Sequence, residues 1–178
     1  MKSTRLLSLL IFVFATATVM SGTGEKPSKP PQKDPNGIDW YGYEAGWKKA
    51  RAENKHLFVD FTATWCGWCR RLEQNTFSDT RVITALKNDF VPVKVWEKSP
   101  DTIDIDGFRI SEQDLRRKEF GVNSFPMLWF VSPKNVRVGP IRGYVDANTL
   151  LNAFDIVKNY RYDSTLDASG NPKKKEQP

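Results

Sequence analysis

The run "HLFVDF", from His56 to Phe61, is apolar, aromatic and β-branched apart from one carboxylate, and it leads through "TATW" into "CGWC" and then "RRLEQNTF". A short buried strand feeding directly into a helix constrains the fold more than any other stretch of the chain. The only two cysteines, Cys66 and Cys69, stand at that junction. There, unpaired backbone N–H groups and the positive end of the helix dipole favour a thiolate over a thiol. Cys69 lies one turn further on the same side and is expected to be the more shielded. A low-pKa first cysteine with a partner one turn away is what thiol–disulfide exchange requires.

Two other uses of the pair carry less weight. A stabilising disulfide between residues three apart closes so small a loop that it hardly constrains the unfolded chain. A zinc site needs about four ligands, and the chain offers two cysteines and one histidine. That histidine, His56, is expected at the surface, at the far end of the strand from the cysteines. Copper delivery through two thiolates stays open as a rival, although it would want a well-placed histidine or methionines. No flavin or nicotinamide motif is visible, so no cofactor and no metal are expected.

Around the junction, "YEAGWKKARAENK" reads as a surface helix and "VPVKVWE" as a second strand. "SDTRVITALKNDF" reads as a helix capped by Ser78 or Asp79, and "SEQDLRRKEFGV" as one that starts at a serine cap and stops at Gly121. "PMLWFV", "VRVGPIRGY" and "DANTLLNAFDIVKNY" read as strand, strand and a closing helix capped by Asp146. The predicted order is helix, strand, helix, strand, helix, strand, strand, helix. Such an order gives an α/β fold with a mixed central sheet flanked by helices.

The ends differ from this body. Lys2 and Arg5 precede "LLSLLIFVFATATVM" and then small residues, the pattern of a secretory signal sequence over 1–22. An uncleaved anchor is the alternative. Residues 23–37 and 163–178 are rich in Pro, Lys and Gly and read as disordered linker and tail, leaving 38–162 as the folded domain. Much of the formal charge of +6 lies in those tails. A nucleic-acid binder would instead concentrate it on a folded face, so none is expected.

With these residues in place, "VDFTATWCGWC" resembles the active-site strand and helix of the thioredoxin-like family, and "SFPMLWF" resembles that family's second hallmark, a cis-proline facing the cysteines. Within the family, "WCxxC…TFSD…V…AL…FV" is most similar to the C-terminal domains of DsbD-type thiol:disulfide interchange proteins and to small secreted thioredoxin-related proteins. The resemblance implies a thioredoxin fold and a thiol:disulfide oxidoreductase. Cys66 becomes the nucleophile, Cys69 the resolving thiol and Asp60 the buried acid that moves the proton of Cys69. A carboxylate in an apolar strand would carry a raised pKa, unless Lys94 of "VPVKV" pairs with it structurally. Pro126 would present the Phe125 backbone to an extended peptide, with Trp65, Gly67 and Trp68 completing the substrate-binding rim.

Two departures qualify the resemblance. The inner dipeptide is Gly67-Trp68, and Arg70 and Arg71 follow at once. Positive charge there stabilises the reduced form and makes the couple more oxidising. The segment 98–112 is also an insertion, with "TIDIDGFRI" expected to form a hairpin about Asp106-Gly107. A calcium loop is not expected there, because Thr102 and Gln113 occupy the first and last ligand positions.

The expectation is therefore a monomeric, periplasmic reductase of protein disulfides. A membrane-bound electron donor would re-reduce it. An oxidase or isomerase, a non-catalytic binding module and a copper carrier are the alternatives.

Overall fold

A computed structural model describes residues 31–163, 165, 166 and 170. The expected signal sequence and most of the linker and tail lie outside these residues. A short pair of strands, β1 (Gln32–Lys33) and β2 (Asp39–Trp40), leads into α1 (Tyr43–Glu53), β3 (His56–Thr62), α2 (Gly67–Asn75), α3 (Thr80–Asp89) and β4 (Phe90–Trp96). The hairpin β5 (Thr102–Ile105) and β6 (Phe108–Ser111) follows, then α4 (Glu112–Asp114), which runs on as a π-helical turn, Leu115–Glu119. The chain closes with β7 (Met127–Val131), β8 (Arg137–Arg142) and α5 (Ala147–Lys158).

The central sheet has the order β4-β3-β7-β8. β3 runs parallel to β4 and antiparallel to β7, and β7 is antiparallel to β8. Alternation along β3 divides the core. Leu57, Val59 and Phe61 pack with Tyr43, Trp47 and Phe120 from α1 and the π turn. Phe58 points the other way, among Leu72, Leu86 and Phe154 from α2, α3 and α5 and Phe77 from the turn between α2 and α3. Helices thus cover both faces, and the mixed α/β architecture is the one the sequence predicts. α1 lies so close on β4 that a Cβ at Gly46 would overlap Val93.

The structure departs from expectation in three places. The predicted order has one helix after the cysteines where there are two, and the second starts at the expected Asp79 cap, whose carboxylate accepts from the Arg81 amide at 2.8 Å. Residues 32–37, expected as linker, are tied down: β1 pairs with β2, and Asp34 accepts from the Ile38 amide (2.8 Å) and the Trp40 indole (2.9 Å).

His56, expected at the surface, is only 3% exposed. Residues after α5 turn back over the start of β3, so that Tyr160 and Tyr162 stand 4.7 and 5.7 Å from the imidazole and the Tyr162 hydroxyl shares a 2.9 Å hydrogen bond with its Nε2. Burial pushes the imidazole pKa down to about 4. The unfolded chain binds this proton from pH 6.5 downward, whereas the folded one resists until about 4. Stability is therefore full above pH 6.5 and falls through that window, by about 3 kcal/mol from this residue. Urea midpoints taken at pH 7 and 4.5 should show His56→Gln gaining stability on acidification relative to wild type by about this amount.

The expected hairpin forms, turning on Asp106 (φ 54°) and Gly107 (φ 87°). Its acids have structural uses. Asp106 pairs with Arg51 at 2.7 Å, and Asp104 accepts from the Gly107 amide at 2.7 Å. The insertion is docked on α1, where Glu44 accepts from the Asp104 amide at 3.0 Å.

Candidate active site

β3 delivers its last residues to the end of the sheet, and a four-residue loop later α2 begins. Cys66 is the N-cap of α2, and its Sγ accepts the Cys69 amide at 3.0 Å, the position a serine or threonine oxygen usually fills. The two sulfurs are joined in a disulfide. Both cysteines are buried, at 3% and 4% exposure, so Cys69 is not the more shielded of the two in this oxidised form. The chain packs both against Ala63 and Phe125.

Phe125 arrives from the π turn through a cis peptide bond to Pro126, just ahead of β7. This segment closes the site from the side opposite α2, and the Gly143 amide donates to the Pro126 carbonyl at 3.0 Å. Trp65 and Trp68 flank the disulfide and stay 63% and 57% exposed. Each is held. The Trp65 ring stands edge-on to Phe125 at 5.9 Å, and its indole donates to Glu97 at 2.6 Å. Trp68 lies 5.9 Å from Tyr144, with the Arg71 guanidinium over both rings. Gly67 is the first residue of α2 and is exposed between them. All the predicted rim residues thus meet around the disulfide. An exposed aromatic platform of this kind marks a contact surface.

Asp60 lies beneath α2, on the sheet face that Phe58 shares, and is 1% exposed. Register sets it beside Lys94 of β4 and Leu128 of β7. The Lys94 ammonium is 4.0 Å from the Asp60 carboxylate but donates at 2.8 Å to Glu73 on α2. The Oδ1 of Asp60 has no hydrogen-bond partner among the described residues. Burial raises its pKa to about 7; Lys94 opposes this and Glu73 adds to it. The pairing with Lys94 therefore exists without cancelling the cost of burial.

Lys94 and Glu73 also line an open cleft of about 500 Å³ between β2 and β4, walled by Trp40 and Trp96. Lys94 sits 4.5 Å above the Trp40 ring. A buried carboxylate is thus joined to solvent through one ion pair.

Sequence reasoning missed Glu73, Glu97, Tyr144 and Arg116. Glu73 follows Cys69 by four residues, which places it on the same helical face, so its spacing was a usable signal. Arg116 gives none. In "LRRKEF" it reads as one solvated cation among three, yet it is buried, lies 5.3 Å over the Phe125 ring and donates to the Val122 carbonyl at 2.8 Å.

Comparisons with known proteins agree with this geometry. The family profile for a thioredoxin-like domain matches residues 43–158. Human spermatogenesis-associated protein 20 is 36% identical over 99 residues, covering 45% of this chain and 12% of that protein. The thiol:disulfide interchange protein DsbD of Campylobacter jejuni is 30% identical over 109 residues, covering 61% of this chain and 17% of that protein. The chain thus spans less than a fifth of the length of either relative. Among solved structures, a Thermus thermophilus thioredoxin superposes with a TM-score of 0.56 at 25% identity, over 67% of this chain and 86% of its own. A putative disulphide-isomerase from Bacteroides thetaiotaomicron gives 0.54 at 29% identity, over 70% and 94%. With fold, cysteine pair and family profile in agreement, the chain belongs to the thioredoxin-like family.

Proposed function

We propose that the protein is a secreted, periplasmic thiol:disulfide oxidoreductase that reduces protein disulfides. The observation that carries this reading is Cys66 at the N-cap of α2, its sulfur already accepting a helix amide. When the pair is reduced, that amide and the helix dipole stabilise a Cys66 thiolate. The thiolate attacks one sulfur of a substrate disulfide, so a Cys66–substrate bond forms and the substrate's own S–S bond breaks. The departing thiolate takes a proton. Asp60, with a pKa near neutrality, accepts the proton of Cys69. Cys69 then attacks Cys66, the Cys66–Cys69 disulfide forms and the second substrate thiol leaves. Two electrons have passed from the dithiol to the substrate. Lys94 and Glu73 connect Asp60 to the cleft through which its proton reaches water. The backbone of Phe125 beside Pro126 receives an extended segment of substrate.

A reductase in an oxidising compartment needs an electron supply, and a membrane-bound donor would provide it. An oxidase is the second reading, favoured by one observation. Arg70 and Arg71 are exposed beside the cysteines and stabilise thiolates.

Equilibration of the Cys66–Cys69 couple in glutathione buffers separates these readings. A potential near about −270 mV supports the reductase, and one near about −120 mV supports the oxidase. A couple that never exchanges with glutathione would remove both.

A further inference from the structure

Arginines on this protein divide by location. Away from the disulfide, four of the six described arginines are paired with carboxylates: Arg51 with Asp106, Arg81 with Asp79, Arg137 with Glu119 and Arg161 with Asp155. Around it they are not. Arg70 donates to the Thr64 carbonyl, Arg71 is stacked on Trp68 and Tyr144, and Arg142 is exposed on β8 at the Pro126 end of the sheet. None of these three has a carboxylate within ion-pair distance among the described residues. Buried Arg116, over Phe125, makes no direct ion pair among the described residues either, although Glu97 is near enough to act on its charge. Only two other described arginines lack such a partner, Arg109 on the hairpin and Arg117 on the π turn. The acid at the rim, Glu97, is engaged by the Trp65 indole.

Stacking matters because it removes the flexibility that makes most surface charges poor binders. A guanidinium held over two aromatic rings loses less freedom when it engages a ligand than one swinging free in solvent. An arginine whose charge is left unanswered beside exposed tryptophans is complementary to a carboxylate on whatever docks there.

We infer that the protein partner exchanging disulfides at Cys66 carries acidic residues beside its reactive cysteine, and that Arg70, Arg71 and Arg142 recognise them. This rests on the oxidoreductase reading and names the substrate class of the same site.

The test uses the full chain, reduced and freed of reductant, in single turnover. Its substrates are three short peptides whose one cysteine is activated as a 2-pyridyl disulfide and flanked by glutamate, glutamine or lysine. Cys66 attacks the peptide sulfur, a Cys66–peptide disulfide forms and 2-thiopyridone leaves with a proton. Cys69 then displaces the peptide thiol and closes the protein disulfide. At about 20 mM salt the glutamate peptide should react about tenfold faster than the glutamine peptide, with the lysine peptide slowest, and the ratio should shrink towards one at about 0.5 M. The Arg70→Gln/Arg71→Gln double variant changes only exposed side chains. It should lower the glutamate-to-glutamine ratio to about twofold. The ratio is the readout, because lost charge also changes the thiolate. Wild type reacting equally with all three peptides overturns the inference and leaves the dithiol chemistry standing. Reaction with none overturns both. Binding to vesicles rich in phosphatidylserine, without peptide discrimination, would overturn it in favour of a membrane surface.

Discussion

Cys69→Ser should convert turnover into capture. Without an internal thiol, each Cys66–substrate disulfide waits for a thiol from solution, and steady-state reduction should fall on the order of a thousandfold. Covalent adducts should accumulate and run as higher-mass bands on non-reducing gels, vanishing with dithiothreitol. Cys66→Ser should lose activity to the same extent but form no adducts. The asymmetry follows from position. Cys66 is the N-cap at the strand–helix junction, where its sulfur accepts a helix amide, whereas Cys69 lies inside the first turn of α2. Equal adduct yields from both variants would sink the assignment of nucleophile and resolving thiol, and adducts from neither would sink exchange altogether.

Asp60→Asn should separate stability from function. In the folded protein Asp60 keeps its proton up to about pH 7, whereas the unfolded chain releases it near 3.8. The stabilisation linked to this proton is therefore complete below about pH 4 and lost as pH rises through 7, by about 4 kcal/mol in total. Asparagine removes that slope. It also leaves a buried amide imperfectly bonded, at about 1–3 kcal/mol. The variant should thus be more stable than wild type at pH 8 by about 2 kcal/mol and less stable at pH 4. Resolution of the mixed disulfide should slow about a hundredfold at pH 7, as the loss of a positioned base implies. Urea melts at both pH values and stopped-flow release of substrate thiol measure the two effects. Parallel pH slopes in variant and wild type, or an unchanged release rate, would contradict the role of Asp60.

Much of this site can be read along the chain because its parts are local. The strand–cysteine–helix junction needs only periodicity and two cysteines, and Asp79, Ser111 and Asp146 declare their helices by side-chain capping, which acts over two or three residues. Asp60 stands out as a carboxylate in an apolar strand, and Lys94 as its neighbour. What escapes is set by the sheet register and by chain segments that return from far away. His56 reads as a strand-opening surface residue because Tyr160 and Tyr162, about a hundred residues on, have no local signal of where they fold back. The ordered β1–β2 pair is hidden for a similar reason. Its anchor, Asp34 bonded to the Trp40 indole, sits in a composition that otherwise reads as solvated. Arg116 is held inward by the Phe125 ring and the Val122 carbonyl, contacts that nothing in "LRRKE" announces.

One strand carries both buried titrating groups, His56 at its start and Asp60 four residues on. Their demands oppose each other across nearly the same interval. As acidity increases from neutral to about pH 4, the carboxylate gains its preferred neutral form while the imidazole is driven towards a charge that its pocket rejects. The two contributions, of similar size, largely cancel. A buffer screen of melting temperature would therefore portray an acid-indifferent protein, and that flat profile would conceal two steep ones. Only when either partner is replaced does the remaining slope emerge, upward for one variant and downward for the other. Tolerance to acid, in this fold, is a balance between two unfavourable burials rather than a lack of sensitive groups.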